Sequence, residues 1–515
     1  MRRISTSLAA ALLGAGGVAV LAAPAHAAGT SYHVDCSATG TGDGSSSAPF
    51  TSLASANAVS LKPGDSMLFR RGVTCQGQFA PTGSGSASAP VVIGAYGDGT
   101  ARPKIDANGA TNAVLLDAFP YVTLQDLELT APGDNTAVRR GLYVYASDAG
   151  TVPGITVQRL YVHDVRGKMP STTGAGAGTG KYANATGGVV IEAQGTTTPT
   201  AFTGLSVLDN TIASVDRQGI YTWTNWCRRP ELASFWNTLC SAAWFPGNGF
   251  TVRGNTLSDI GGDGIVVKGY DGALVEHNTL TGFNKRSGSP NAGMWTANSR
   301  NVTFQFNDAS GGTTTSDGMG YDVDHSTDGI VFQYNLSHGN QGGFFLLCPY
   351  DKPTKNFTIR YNVSINDSAR GFQVCDGALT GGKIYNNTIY IGNGVNQTVV
   401  TESTAATLDV AFTNNIVRKD LSGTAGWKLD DTNWKLDHNV LAGVSANPAW
   451  ATGTITSAPL FVSPGTVTAA AYKLRTGSPA LDAGAVIAGN GGRDYCGTAI
   501  PSGPPNIGFY QGPGL

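Results

Sequence analysis

Asp322 and Asp324 stand two residues apart in the segment GYDVDHS. In a strand that spacing puts both carboxylates on one face, roughly 6–7 Å apart along the chain. His325 follows directly, and Asp317 and Asp328 flank the same stretch. Two carboxylates at such a distance suit hydrolysis of a glycosidic bond, in which one protonates the leaving oxygen and the other acts as base or nucleophile. Separations of about 6.5–9.5 Å go with inversion and about 5–5.5 Å with retention, so the backbone spacing leans toward inversion. A close pair of carboxylates can also hold a proton at neutral pH, as a general acid must. The same aspartates could instead ligate Ca²⁺ or cap turns. Lys268, in GDGIVVKG, offers a different chemistry. A lysine with a lowered pKa can remove the proton next to a uronate carboxylate, if a cation such as Arg217, Arg228, Arg229 or Ca²⁺ holds that carboxylate.

Whether these groups meet depends on a repeat. An apolar-x-x-Asn pattern recurs at Asn210, Asn255, Asn278, Asn307, Asn335, Asn362, Asn387, Asn415 and Asn439, at intervals of 23 to 29 residues from Asn255 onward. Upstream of each such turn lies a glycine followed by alternating apolar residues, as in GVVI at Gly188, GIVV at Gly264, GMWT at Gly293, GYDV at Gly320 and GFFL at Gly343. Alternation over four or five residues is strand periodicity. Short strands between Gly, Asn and Asp turns, repeated at this interval, form the coils of a solenoid whose neighbours bury each other's apolar faces. The fold class is therefore all-β, a parallel β-helix, with the right-handed sense preferred by parallel crossovers. Each asparagine is expected to occupy a left-handed corner and to bond the equivalent amide one coil away.

The repeat also supplies a register. Counting two and four residues on from each glycine gives two outward rows. The first reads Tyr221, Val266, Trp295, Asp322, Phe345, Gln373, and the second Trp223, Lys268, Ala297, Asp324, Leu347, Cys375. Lys268 then lies about 10 Å from Asp324, with only Ala297 between them. The expected catalytic set is Asp322, Asp324, Lys268 and His325. Tyr221, Trp223, Trp295, Trp226 and Arg217 are expected to contact substrate. Aromatic rings suit the C–H faces of sugars. Trp226 opens an insertion, 226–248, that also holds Phe235, Trp236 and Trp244; a second insertion spans 168–187.

Arg2 and Arg3, an apolar run from Leu8 to Leu21 and the site Ala25-His26-Ala27 make 1–27 a bacterial-type cleavable signal peptide, so a secreted, extracellular product is expected. Residues 28–110 form an N-terminal cap with the first coils, 111–445 the β-helix, and 446–515 an irregular C-terminal capping tail. Seven cysteines in an exported chain imply disulfides, and proximity pairs Cys36 with Cys75, Cys227 with Cys240 and Cys348 with Cys375, leaving Cys496. A net charge of −2 and 13% charged residues give no reason to expect nucleic acid or a membrane as partner. A monomer acting on a polysaccharide, with no cofactor required, is the expectation.

The GIVV-type strands, the VEHN and IRYN turns, the N-terminal YHVDCSATGTGDGSSSAPFTSL and LKPGDSMLFRRG, and the terminal SPALDAG and NIGFYQG resemble the right-handed parallel β-helix superfamily that includes pectate lyases and many glycoside hydrolases. The stretch from Ser316 to Cys348 is similar to segments of secreted bacterial carbohydrate-active members. The resemblance implies the fold directly. For the reaction it leaves three readings: a glycoside hydrolase using the aspartates, a polysaccharide lyase using Lys268 as base, and a non-catalytic glycan-binding β-helix.

Overall fold

In a computed structural model, residues 29–169, 183–229, 240, 242–287, 290–350, 353–404, 406–429 and 433–515 are described. The expected signal peptide, most of the 168–187 insertion, and Phe235 and Trp236 lie outside them. The described chain winds into a parallel β-helix of three long sheets with fifteen, thirteen and eleven strands. One coil contributes a strand to each, as in Met319–Asp324 on the third sheet, Val331–Gln333 on the first and Leu336–His338 on the second. Every pairing between consecutive coils in these sheets is parallel.

The core is a column of inward rows. Phe304 stacks on Phe332 at 4.4 Å between ring centroids, and Tyr321, Phe345 and Phe372 continue the aromatic packing across the helix interior. Each such fully buried ring contributes on the order of 2–3 kcal/mol relative to exposure. At the front, Leu53–Asn57 forms a short helix whose Ser52 side chain accepts from the Ser55 amide, and Leu53 and Ala56 are buried against the first coils.

The nine asparagines form one continuous ladder. From Asn210 to Asn439, each side-chain amide donates to the side-chain oxygen of the next at 2.8–3.3 Å. That same oxygen accepts the main-chain N–H of the asparagine before it at 2.8–3.0 Å. The expected left-handed corner, however, belongs to the preceding residue. Asp209, Gly254, His277, Phe306, Tyr334, Tyr361, Asn386, Asn414 and His438 all have positive φ. The side chain before the asparagine thereby swings outward while the amide turns inward to the ladder. A second polar corner is shorter: Asn340 donates from its main chain and its side chain to buried Asp367, each at 2.9 Å.

The three disulfides join the expected partners, and Cys496 is free. After the last coil the chain does not simply stop over the end of the core. Residues Phe461, Tyr472, Leu474, Ile507 and Phe509 pack on outward side chains of the second sheet, from Val440 and Ile416 back to Val363 and Leu336. Hydrogen bonds from Asn386 to the Asn506 and Gly508 carbonyls and from Tyr334 to the Arg493 carbonyl fasten this returning segment.

Candidate active site

The third sheet presents the candidate residues. Val266 pairs with Trp295, Trp295 with Asp322, and Lys268 with Ala297, as the repeat predicts. Beyond Asp322 the expected rows are out by one residue. Asp322 pairs with Leu346 and Asp324 with Cys348, so Leu346 and Cys348 face outward while Phe345 and Leu347 turn into the core. The glycine row explains the slip. Gly188, Gly219, Gly264, Gly293 and Gly320 lie one above another, and a Cβ on Gly293 would sit 2.4 Å from the Gly320 carbonyl oxygen. The next position in that row is Phe344, not Gly343, because Tyr321 pairs with Phe345. Burying Phe345 beside Tyr321, 5.4 Å between centroids, sets the phase. Gln373 returns to the expected row opposite Leu346.

A cleft of about 190 Å³ opens on this face. Asp317, Asp322, Asp324, His325, Lys268 and Trp295 all line it, together with Asp263, Leu346, Cys348 and Tyr350. Asp317 lies at the turn entering the central strand and Asp324 at the strand's far end, with Asp322 between them. The His325 main-chain N–H donates to one Asp324 oxygen at 2.7 Å, and the ring Nε2 stands 3.7 Å from the other. Asp322, Asp324 and His325 are each exposed by less than a tenth. Carboxylates so enclosed interact through a lower dielectric than on an open surface, which strengthens their action on a bound ligand.

Lys268 is held in an aromatic box. Its Nζ lies 4.6 Å from the ring centre of Trp295, 5.3 Å from Trp223 and 5.7 Å from Tyr221. Ring faces attract the ammonium form. Tyr221 and Trp223 thus serve the lysine and do not line the cleft; Trp295 is the expected aromatic that does. Trp226 is likewise outside it, donating from its indole to the Gln194 carbonyl at 3.0 Å at the root of the disulfide-closed insertion.

Arg217 lies behind the cleft wall. It is wholly buried, and its guanidinium is bonded to Asn291 and lies 3.4 Å from Asp263. Burial pulls its pKa below the usual arginine value, while the Asp263 charge opposes the shift. The other Asp263 oxygen accepts from the Trp295 indole and the Ala292 N–H, both at 3.0 Å. Arg217 is thus linked to Trp295 through Asp263 and does not itself line the cleft. Arg229 stacks on Trp244 at 4.0 Å and donates to the Ser326 carbonyl, tying the insertion to the end of the aspartate strand. No arginine lines the cleft among the described residues.

Asp263 and Tyr350 were not among the expected site residues. The Asp263-Gly264 dipeptide reads as a turn, and only its long-range partners reveal its second role. Tyr350 follows Cys348 by two residues and stands 6.2 Å from His325 between ring centres. Among the described residues, no group of three His, Cys, Asp or Glu is arranged to hold a metal ion.

The family model described as a right-handed β-helix region matches residues 241–420. A lacto-N-biosidase of Bifidobacterium longum subsp. longum is 26% identical, over 75% of this chain and 29% of that protein. The crystal structure of a GH136 lacto-N-biosidase from Eubacterium ramulus is similar with a TM-score of 0.58 at 24% identity, covering 71% of this chain and 64% of that one. The structure of XylC with xylose is similar with a TM-score of 0.55 at 12% identity, over 94% of this chain and 98% of that one. This chain thus spans less than a third of the length of the curated relative it matches. The structural likenesses agree with a right-handed parallel β-helix.

Proposed function

We propose that this protein is an exported glycoside hydrolase acting on a neutral glycan, with Asp322 and Asp324 as its working pair of carboxylates. The observation that carries the reading is the convergence of Asp317, Asp322 and Asp324 in one cleft beside Trp295. One carboxyl group would protonate the leaving oxygen while the other activates water, and the spacing along the strand, about 6–7 Å, leans toward inversion. His325 orients Asp324, and Lys268, seated beside the rings of Trp295, Trp223 and Tyr221, hydrogen-bonds sugar hydroxyls. The lacto-N-biosidase relatives support hydrolysis ahead of elimination. Three disulfides suit an oxidising, extracellular setting. All groups of the site come from one chain, so a monomer suffices.

Elimination from a uronate polymer fits the cleft less well. It needs a neutral lysine and a cation on the carboxylate, whereas Lys268 faces three rings and the acidic groups outnumber the basic ones. Like charge also disfavours approach of a polyanion.

A digestion panel of neutral and uronate polysaccharides, followed for both new reducing ends and ultraviolet-absorbing unsaturated products, tests the proposal. Reducing ends without unsaturation are expected. Unsaturated product would assign the lyase reading, and saturable binding without any product would assign a glycan-binding role. If Asp322→Asn keeps full activity while Asp317→Asn abolishes it, Asp317 takes the second role. Full activity in both Asp322→Asn and Asp324→Asn removes the proposed pair.

A further inference from the structure

We infer that the glycan continues beyond the cleft, along the third sheet toward its C-terminal end, into a second trough that binds sugar residues remote from the bond being cut. This inference rests on the hydrolase reading for the position of the cut.

The outward row that carries Trp295 and Asp322 does not end there. Asp322 pairs with Leu346, Leu346 with Gln373, Gln373 with Thr401, and Thr401 with Lys428. At about 4.8 Å per rung, Thr401 lies roughly 14 Å from Asp322 along the solenoid axis, further than one sugar ring reaches. Over these rungs the face opens into a trough of about 350 Å³ lined by Gln373, Thr401, Glu402 and Lys428 among others. The Cys348–Cys375 disulfide lies between trough and cleft, with Cys348 lining the cleft and Cys375 the trough. Tyr350 lines both, and at 46% exposure it offers a ring at the passage from one to the other.

The chemistry of the trough is that of a hydroxyl-rich, uncharged ligand. Gln373 and Thr401 present an amide and a hydroxyl on adjacent rungs, and the Gln373 oxygen is held by Arg370. Glu402 is fixed by the Trp434 indole at 3.2 Å. A mixed set of Asp376, Glu402 and Lys428 gives no excess of positive charge to recognise a uronate chain. Paired acceptors and donors set beside an aromatic ring are what successive sugar residues require. The substrate is thus a chain of at least four sugars, gripped on both sides of the cut or well to one side of it.

The test uses the full-length Asp324→Asn variant and reducing-end-labelled chito-, xylo-, manno- and galacto-oligosaccharides from disaccharide to hexasaccharide, with Kd read by titration. In one series, affinity is expected to rise about tenfold or more between the disaccharide and the tetrasaccharide. Adding Gln373→Ala or Thr401→Ala, in protein whose thermal midpoint is retained, should weaken the tetrasaccharide about three- to tenfold and the disaccharide less, as loss of a hydrogen bond predicts. Equal affinity at all lengths, equal weakening at all lengths, or no binding in any series overturns the trough. Wild-type cleavage with no length dependence keeps the hydrolase and sinks the trough. Length-dependent binding with no product from the wild type does the reverse.

Discussion

From Asn210 to Asn439 one corner of the solenoid keeps the same side chain in nine coils, while the outward row of the third sheet reads Tyr221, Val266, Trp295, Asp322, Leu346, Gln373 and Thr401 without repeating a residue. The corner is constrained by the backbone. At every rung it buries amides and carbonyls that need partners, and one asparagine meets that need in the same way each time. The outward face carries strands whose hydrogen bonds are already made by their neighbours. Its side chains are therefore free to differ from rung to rung, and the chemistry collects there.

The sharpest way to break this contrast is to exchange the kinds of damage. Asp324→Asn is expected to lower kcat by about 10⁴-fold, some 5 kcal/mol in barrier, and to leave the thermal midpoint in place. Steady-state kinetics and thermal unfolding of the same preparation check both halves. Asn387→Ala should do the opposite. It removes the acceptor of the Asn362 N–H and side-chain amide and the donor to the Asn415 oxygen. With several buried groups left unsatisfied, a stability loss of about 3–5 kcal/mol follows. Denaturant unfolding measures it, and the folded fraction should retain its kcat/KM.

Asp367 sharpens the comparison, because it is a ladder position occupied by a titrating group. Burial pushes its carboxyl up to about 6. The folded state therefore binds a proton more tightly than the unfolded chain, and the favourable contribution is full below about pH 4 and lost as pH rises through about 6. The loss amounts to about 3 kcal/mol. Asp367→Asn keeps an acceptor for Asn340 and removes the ionisation, so the variant should gain on the wild type between pH 4 and pH 7, read as the difference of their thermal midpoints. The smallest effect is expected from Lys268→Met, which preserves the packing against three rings but removes the ammonium. A fall in kcat/KM of about ten- to thirtyfold, 1–2 kcal/mol, is expected. A rise in activity, or complete loss with uronate substrates alone, would contradict its assigned role.

The asparagine spacing made the solenoid legible because each buried corner demands the same group. The Cys348–Cys375 disulfide was legible because partners on adjacent rungs are also near in sequence, and Cys227–Cys240 because it closes one short insertion. The candidate carboxylates followed from alternation within one strand. Legibility stopped where identity alone leaves two positions open. Gly343 invited continuation of the glycine row, yet the fit of Phe345 against Tyr321 put Phe344 in that position instead. Arg217 looked like a ligand-binding cation because a sequence does not say that Asp263, 46 residues on, will enclose it. Tyr350 gained its place from the turn after Cys348, outside the repeating strands. The left-handed corner was misplaced by one residue because asparagine tolerates that conformation, yet here the ladder needs its amide directed inward.

The returning C-terminal segment has a temporal consequence. It fastens the second sheet as far back as Leu336, in the same coil as Asp322 and Asp324. A stack held only by adjacent coils could settle in order as the chain emerges, each turn resting on the one before. Here the middle of the stack waits for the segment from Phe461 to Tyr510 to arrive. The coil with the carboxylates is clamped from behind only once the segment around Phe461–Tyr510 has been made, so a product cut short before that segment would present its cleft on a turn whose far side is still uncovered.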